Sequence, residues 1–93
     1  MRVLTLADFT PRMGKAIKVQ AMNGSIELVL DQAQELPGSV RQGGSFRLEF
    51  QGPLQPTLGQ GIYRFLIGGQ PHEIFIVPIA QTPQGVRYEA VFY

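Results

Sequence analysis

Apolar and polar residues alternate along most of this chain, in short runs separated by glycine and proline. Alternation with a period of two places successive side chains on opposite faces of a β-strand. The stretch from Leu58 to Ile79 reads as two long strands joined by a tight turn at Gly68-Gly69. Glycine reaches the positive φ that a two-residue hairpin loop requires. A two-residue loop sets Ile67 opposite Gln70, Phe65 opposite His72 and Tyr63 opposite Ile74, and a four-residue loop, Gly68 to Pro71, would keep the same two faces. The two-residue loop also sets Arg64 opposite Glu73, where a favourable cross-strand charge pair is expected. One face then carries Tyr63, Phe65, Ile67, His72, Ile74 and Ile76. The other carries Ile62, Arg64, Leu66, Glu73, Phe75, Val77 and Ile79. That second face is mostly apolar, whereas the outer face of a half-buried antiparallel strand should be polar.

The same period recurs on either side. Residues 15–32 form a second predicted hairpin around Asn23-Gly24, a strong turn signal. Ile17, Val19, Ala21, Ile26, Leu28 and Leu30 share its apolar face. Lys18, Gln20, Glu27 and Asp31 share its wet face, with Val29 the apolar exception. Residues 45–51 point Phe46, Leu48 and Phe50 inward, with Arg47 and Glu49 outward. The run VRYEAVFY sets Val86, Tyr88, Ala90 and Phe92 against Arg87, Glu89, Val91 and Tyr93. Residues 33–45, 52–59 and 80–85 read as loops, because glycine and proline cluster there. Near the start, Thr5 and Asp8 frame one helical turn over 5–10, stopped by Pro11 and anchored by Phe9. Proline cannot donate to a ladder, so Pro78 predicts an edge position or a bulge. The expected fold is all-β: about six antiparallel strands in a small barrel or sandwich, with residues 1–93 as a single domain. Its core is expected to gather Phe46, Leu48, Phe50, Phe65, Ile74, Ile76 and Phe92.

Composition narrows the function classes. Charged residues are 16% of the chain and the net charge is +1. The eight basic residues are scattered, so neither a nucleic-acid field nor a polybasic membrane patch is expected. There is no cysteine, which removes disulfides, thiolate nucleophiles and cysteine-ligated zinc. No apolar run approaches the ~18 residues of a membrane span. Asp8 interrupts the first apolar run, so no signal peptide is read there. These features point to the cytoplasm or to an assembled particle.

Candidate chemistry is sparse. His72 and Glu73 are adjacent on a strand and face opposite ways, so they make no compact acid–base pair. A single histidine without cysteine is a poor basis for zinc, which takes three or four ligands. Glu49 and Glu89 lie beside Arg47 and Arg87 and read as a solvated charge ladder rather than a carboxylate pair in a cleft. No serine lies in a G-x-S-x-G context. Gly59-Gln60-Gly61 leads into a strand and lacks the lysine of a phosphate loop. No catalytic residue, metal or cofactor is therefore expected.

The runs VRQGGSFRLEFQGP (40–53), LGQGIYRF (58–65), HEIFIVPI (72–79) and YEAVFY (88–93), in that order, resemble a family of small bacterial domains of unknown function. Leu6–Phe9 and Gly14 match it more weakly. The resemblance implies a small β-domain without established catalytic residues, encoded near phage-tail-collar-like proteins. With the two-sided apolar hairpin, it implies a non-catalytic structural or protein-interaction module. The expected interface is Ile62, Leu66, Phe75, Val77 and Ile79, covered by a second copy or a larger protein partner. Self-association through an edge at Val86 to Tyr93 is a related expectation. The alternative is a small-molecule or glycan-binding barrel, which would need an enclosed cavity with a few convergent polar groups.

Overall fold

A computed structural model describes residues 3–21, 24–38 and 44–93. The alternating runs form six strands: β1 (Ala16–Ala21), β2 (Gly24–Leu36), β3 (Ser45–Gly52), β4 (Gly61–Ile67), β5 (Gln70–Thr82) and β6 (Gly85–Phe92). All pairings are antiparallel, and the order β1-β2-β3-β6-β5-β4 closes into a barrel. Closure rests on a short seam, with Val19 opposite Phe65 and Gln20 opposite Arg64.

The central hairpin has the register read from the sequence. Ile67 faces Gln70, Phe65 faces His72, Tyr63 faces Ile74 and Arg64 faces Glu73. Gly68 and Gly69 have φ of 60° and 81° and form the two-residue loop. In the first hairpin, Ile17 faces Leu28 and Val19 faces Ile26. The described strands end with Ala21 opposite Gly24. Gly24, expected in the turn, is instead the first residue of β2, and Asn23 lies outside the described residues.

Four further expectations about the fold need correction. The loop expected over 33–45 begins later, because β2 continues to Leu36, and the turn expected over 80–85 is shorter, because β5 continues to Thr82. The register of β2 against β3 shifts between Leu30 and Gln32. A bulge there adds one residue and changes which positions face inward. Leu30 points into the core, and so does Ala33 instead of Gln32. Near the start, Pro11 does not end the helical segment. It lies in a second 3-10 turn, Thr10–Arg12, which follows a first at Leu6–Asp8. A proline suits the first turn because its missing N–H would have had no partner there. Asp8 caps the first turn as expected, accepting from the Thr5 backbone N–H at 2.8 Å. The third correction concerns β6, which is not an edge but lies between β3 and β5. Phe92, the fourth, is half-buried at the margin of the core rather than inside it.

Pro78 lies at a bulge in β5, where the register against β6 shifts between Pro78 and Ala80. The inward residues fill the barrel. Phe50, Phe65, Leu28, Leu48, Ile76 and Tyr88 are fully buried, and Phe50 and Phe65 meet at 5.2 Å between ring centroids. Phe9 closes one end, packed on Phe46 and Phe92 at 5.8 and 6.0 Å. Leu58 is buried near Tyr88, whose hydroxyl accepts from the Leu58 N–H at 2.8 Å. Glycine is required at position 85, whose φ is +147°. A methyl there would collide with the Gly52 carbonyl.

Candidate functional site: the outer face of the central hairpin

Apolar side chains pack the barrel interior, and charged and apolar residues share its outer surface. Strand alternation divides that surface into two unlike regions.

The first lies on β3 and β6. Register sets Arg47 opposite Val91, Glu49 opposite Glu89 and Gln51 opposite Arg87. Two carboxylates facing one another would repel, and two arginines prevent it. Arg47 donates to Glu49 at 2.5 Å and to Glu89 at 2.6 Å. Arg87 donates to Glu49 at 2.9 Å and pairs with Asp31, the bulge residue of β2, at 2.7 Å. The Glu49 side chain is only 13% exposed. This is therefore a partly buried network rather than the solvated ladder expected from the sequence. Hydrogen bonds from Arg47, then from Arg87, hold the Glu49 carboxyl below its ordinary value despite its partial burial. Bonds to Glu49 and then Glu89 hold the Arg47 guanidinium above its ordinary value, and bonds to Glu49 and then Asp31 do the same for Arg87. Each acid in the network has a cation beside it, an arrangement that links three strands.

The second region lies on β4 and β5 and contains the expected interface. Ile62 is 64% exposed, Phe75 49% and Ile79 45%; Leu66 and Val77 are half-buried. Ile62 and Phe75 face one another across the hairpin. Val91, 46% exposed on β6, adds to the apolar surface. It lies two residues beyond Glu89, while Phe75 lies two residues before Val77, the partner of Glu89. The sequence placed Val91 on the outer face. Its membership in this patch depends on β5 and β6 being neighbours, which local alternation does not show.

Arg64 and Glu73 are both exposed beside the apolar residues. They are opposite in register as expected, yet neither forms an ion pair among the described residues. The expected charge pair is corrected to that extent. An open depression of about 540 Å³ adjoins them, lined by Gln20, Ala21, Gly61, Ile62, Tyr63, Arg64 and Glu73. It sits by the β1–β4 seam.

His72 faces Phe65 on the inner side of the hairpin and is half-buried. Its Nε2 is buried without a hydrogen-bond partner. Glu73 points outward, so the structure does not bring the two together. Among the described residues, no group of three or more histidine or acidic side chains could hold a metal ion. No described helix is long and apolar enough to cross a membrane.

A family model described as Domain of unknown function (DUF6916) matches residues 4–92. The match includes the N-terminal segment, where the sequence resemblance was weaker. No curated protein and no solved structure matches the chain.

Proposed function

The chain belongs to that uncharacterised family, and from that premise we propose that it is a non-catalytic structural or protein-interaction module. Its working surface is the outer face of β4 and β5. The observation that carries this reading is the exposed Ile62–Phe75 pair, extended by Ile79 and Val91. Contiguous apolar surface of this kind on a soluble domain marks a place where another molecule binds. The partner is a protein, since the face carries one cation and one anion rather than a field of either sign. A phage-tail-like or secretion particle is the setting we propose for such a module, following what the sequence resemblance implies.

The contrast with β3 and β6 supports the same assignment. There, polar side chains bind one another and hold strands together. On β4 and β5, charged and apolar groups alike lie open. Among the described residues, the ligand-binding alternative has an open surface depression for a site rather than an enclosed cavity, and aromatic and aliphatic side chains pack the interior.

The test is affinity capture with the wild-type chain and with Phe75→Asp, read by mass spectrometry. Circular dichroism would confirm that both are folded. Proteins captured by the wild type should fall at least tenfold with the variant, as expected for loss of a central aromatic anchor. Equal capture by both chains would overturn the assignment of this face.

A further inference from the structure

We infer that the partner of the β4–β5 face is a second copy of this chain, docked about a two-fold axis that runs parallel to the two strands and between them. The inference rests on the interaction reading above and names the partner for it.

A two-fold axis in that position lays β4 of one copy over β5 of the other. Each residue then meets the counterpart of the residue that faces it within its own hairpin. Three outward rungs are fixed by the register: Leu66 with Pro71, Arg64 with Glu73, and Ile62 with Phe75. Every rung is complementary under this operation. Leucine meets proline, arginine meets glutamate and isoleucine meets phenylalanine, each twice. An isologous interface demands this property, because residue i contacts j wherever j contacts i.

Another axis direction fails the same test. An axis across the strands, through the Ile62–Phe75 rung, would lay Glu73 over Val77. It would set a carboxylate against an apolar side chain and leave it without a partner, which is costly on burial. The placement between the strands avoids this. Arg64 and Glu73 are exposed and unpaired among the described residues, so neither must surrender an ion pair to make one between copies. The depression beside Ile62 and Arg64 lies on the side where Phe75 of the second copy would arrive.

The barrel is convex and its strands are tilted to its axis, so a two-fold axis along the strands makes the two barrels cross and touch over a small patch. Such a contact belongs at the small end of specific interfaces, below about 1,200 Å². The dimer is accordingly weak and depends on concentration.

Sedimentation velocity from about 1 μM to about 1 mM covers the affinity range of such a contact. The wild type should shift from monomer to dimer within it. Arg64→Glu alone puts glutamate over glutamate twice, and Glu73→Arg alone puts arginine over arginine twice. Each single variant should weaken association at least tenfold, since like charges in contact are strongly disfavoured. An equimolar mixture of the two should form a heterodimer, because both rungs become complementary again. The double variant, Arg64→Glu with Glu73→Arg, should recover the homodimer. Thermal melts would show that all variants are folded. A wild type that stays monomeric throughout, or a mixture that does not restore association, overturns the second copy as partner. If capture of other proteins still depends on Phe75 in that case, the interaction reading survives on its own.

Discussion

Two outer faces of one barrel handle charge in opposite ways. On β3 and β6, Glu49 and Glu89 face one another and would repel, yet Arg47 joins them and Arg87 ties Glu49 to Asp31 on β2. On β4 and β5, Arg64 and Glu73 face one another and could attract, yet they do not pair. Facing position alone therefore does not determine pairing. Side-chain reach and partners on neighbouring strands decide it. One face uses its polar groups to join strands. The other leaves polar and apolar groups available to a partner.

The comparison predicts that the two faces separate in experiment, one affecting stability and the other association. The largest effect belongs to neither face. Phe50→Ala, in the shared core, should cost roughly 3–5 kcal/mol in chemical denaturation, from lost transfer energy and the cavity left behind. A loss below about 1 kcal/mol would mean that the interior is not the common support of both faces.

Next comes Glu49→Ala, which leaves two arginines without their shared acceptor. A loss of about 1.5–3 kcal/mol is expected, in the range of hydrogen bonds to charged groups. Association should be unchanged. If sedimentation showed the dimer equally weakened, the division of labour between the faces would be wrong.

A smaller effect follows acidity. The Glu49 carboxyl titrates below its ordinary value of 4.5 in the folded chain. The unfolded chain therefore takes up this proton first as pH falls. The stability contributed by Glu49 is present above about pH 4.5 and is lost as pH drops through the lower folded value. Denaturation across that acidic range should show a decline in the wild type that is reduced in Glu49→Gln. Parallel curves for the two chains would remove Glu49 as the cause. Tyr88 marks the opposite limit. Burial raises its hydroxyl above 10.0, so its contribution is present below that pH and lost at still higher alkalinity.

The smallest effect on stability belongs to Phe75→Asp. An exposed substitution usually stays within about 0.5 kcal/mol, so the melting curve should scarcely move while association falls. A variant that unfolds would show that Phe75 supports the barrel rather than a partner.

Much of this architecture was legible in the sequence. Two-residue alternation identified the strands and their faces, and Gly68-Gly69 fixed the register of the central hairpin. The apolar outer face was legible for the same reason, since Phe65 and Phe75 each follow the parity of their strand. Non-local features were harder to read. The bulge at Asp31 shifts the alternation by one residue, so a real strand through Ala33 looked like a loop. Arg47 and Glu89 are 42 positions apart in the chain. Nothing local records that their strands are neighbours, nor that β6 lies next to β5 and brings Val91 toward Phe75. Barrel and sandwich remained equal alternatives because closure depends on two facing pairs, Val19 with Phe65 and Gln20 with Arg64. Pro11 was read as a stop because proline breaks a helix interior, whereas here it lies within the first turn of a separate 3-10 segment that begins at Thr10.

The position of β6 has a consequence for how the molecule can be divided. It follows the other five strands in chain order, yet it lies between β3 and β5. Remove it, and the other strands separate into a three-stranded half, β1-β2-β3, and a two-stranded half, β5-β4, joined through the seam alone. Each half then presents a bare rim of backbone donors and acceptors, and both rims fit the same missing strand. The turn at Pro83-Gln84 is the natural place to divide the polypeptide. A fragment ending there would be an unfinished ring, and a peptide bearing Val86, Tyr88 and Ala90 would be its clasp. The barrel thus has the plan of a two-piece complementation system, in which supplying one strand restores two ladders at once.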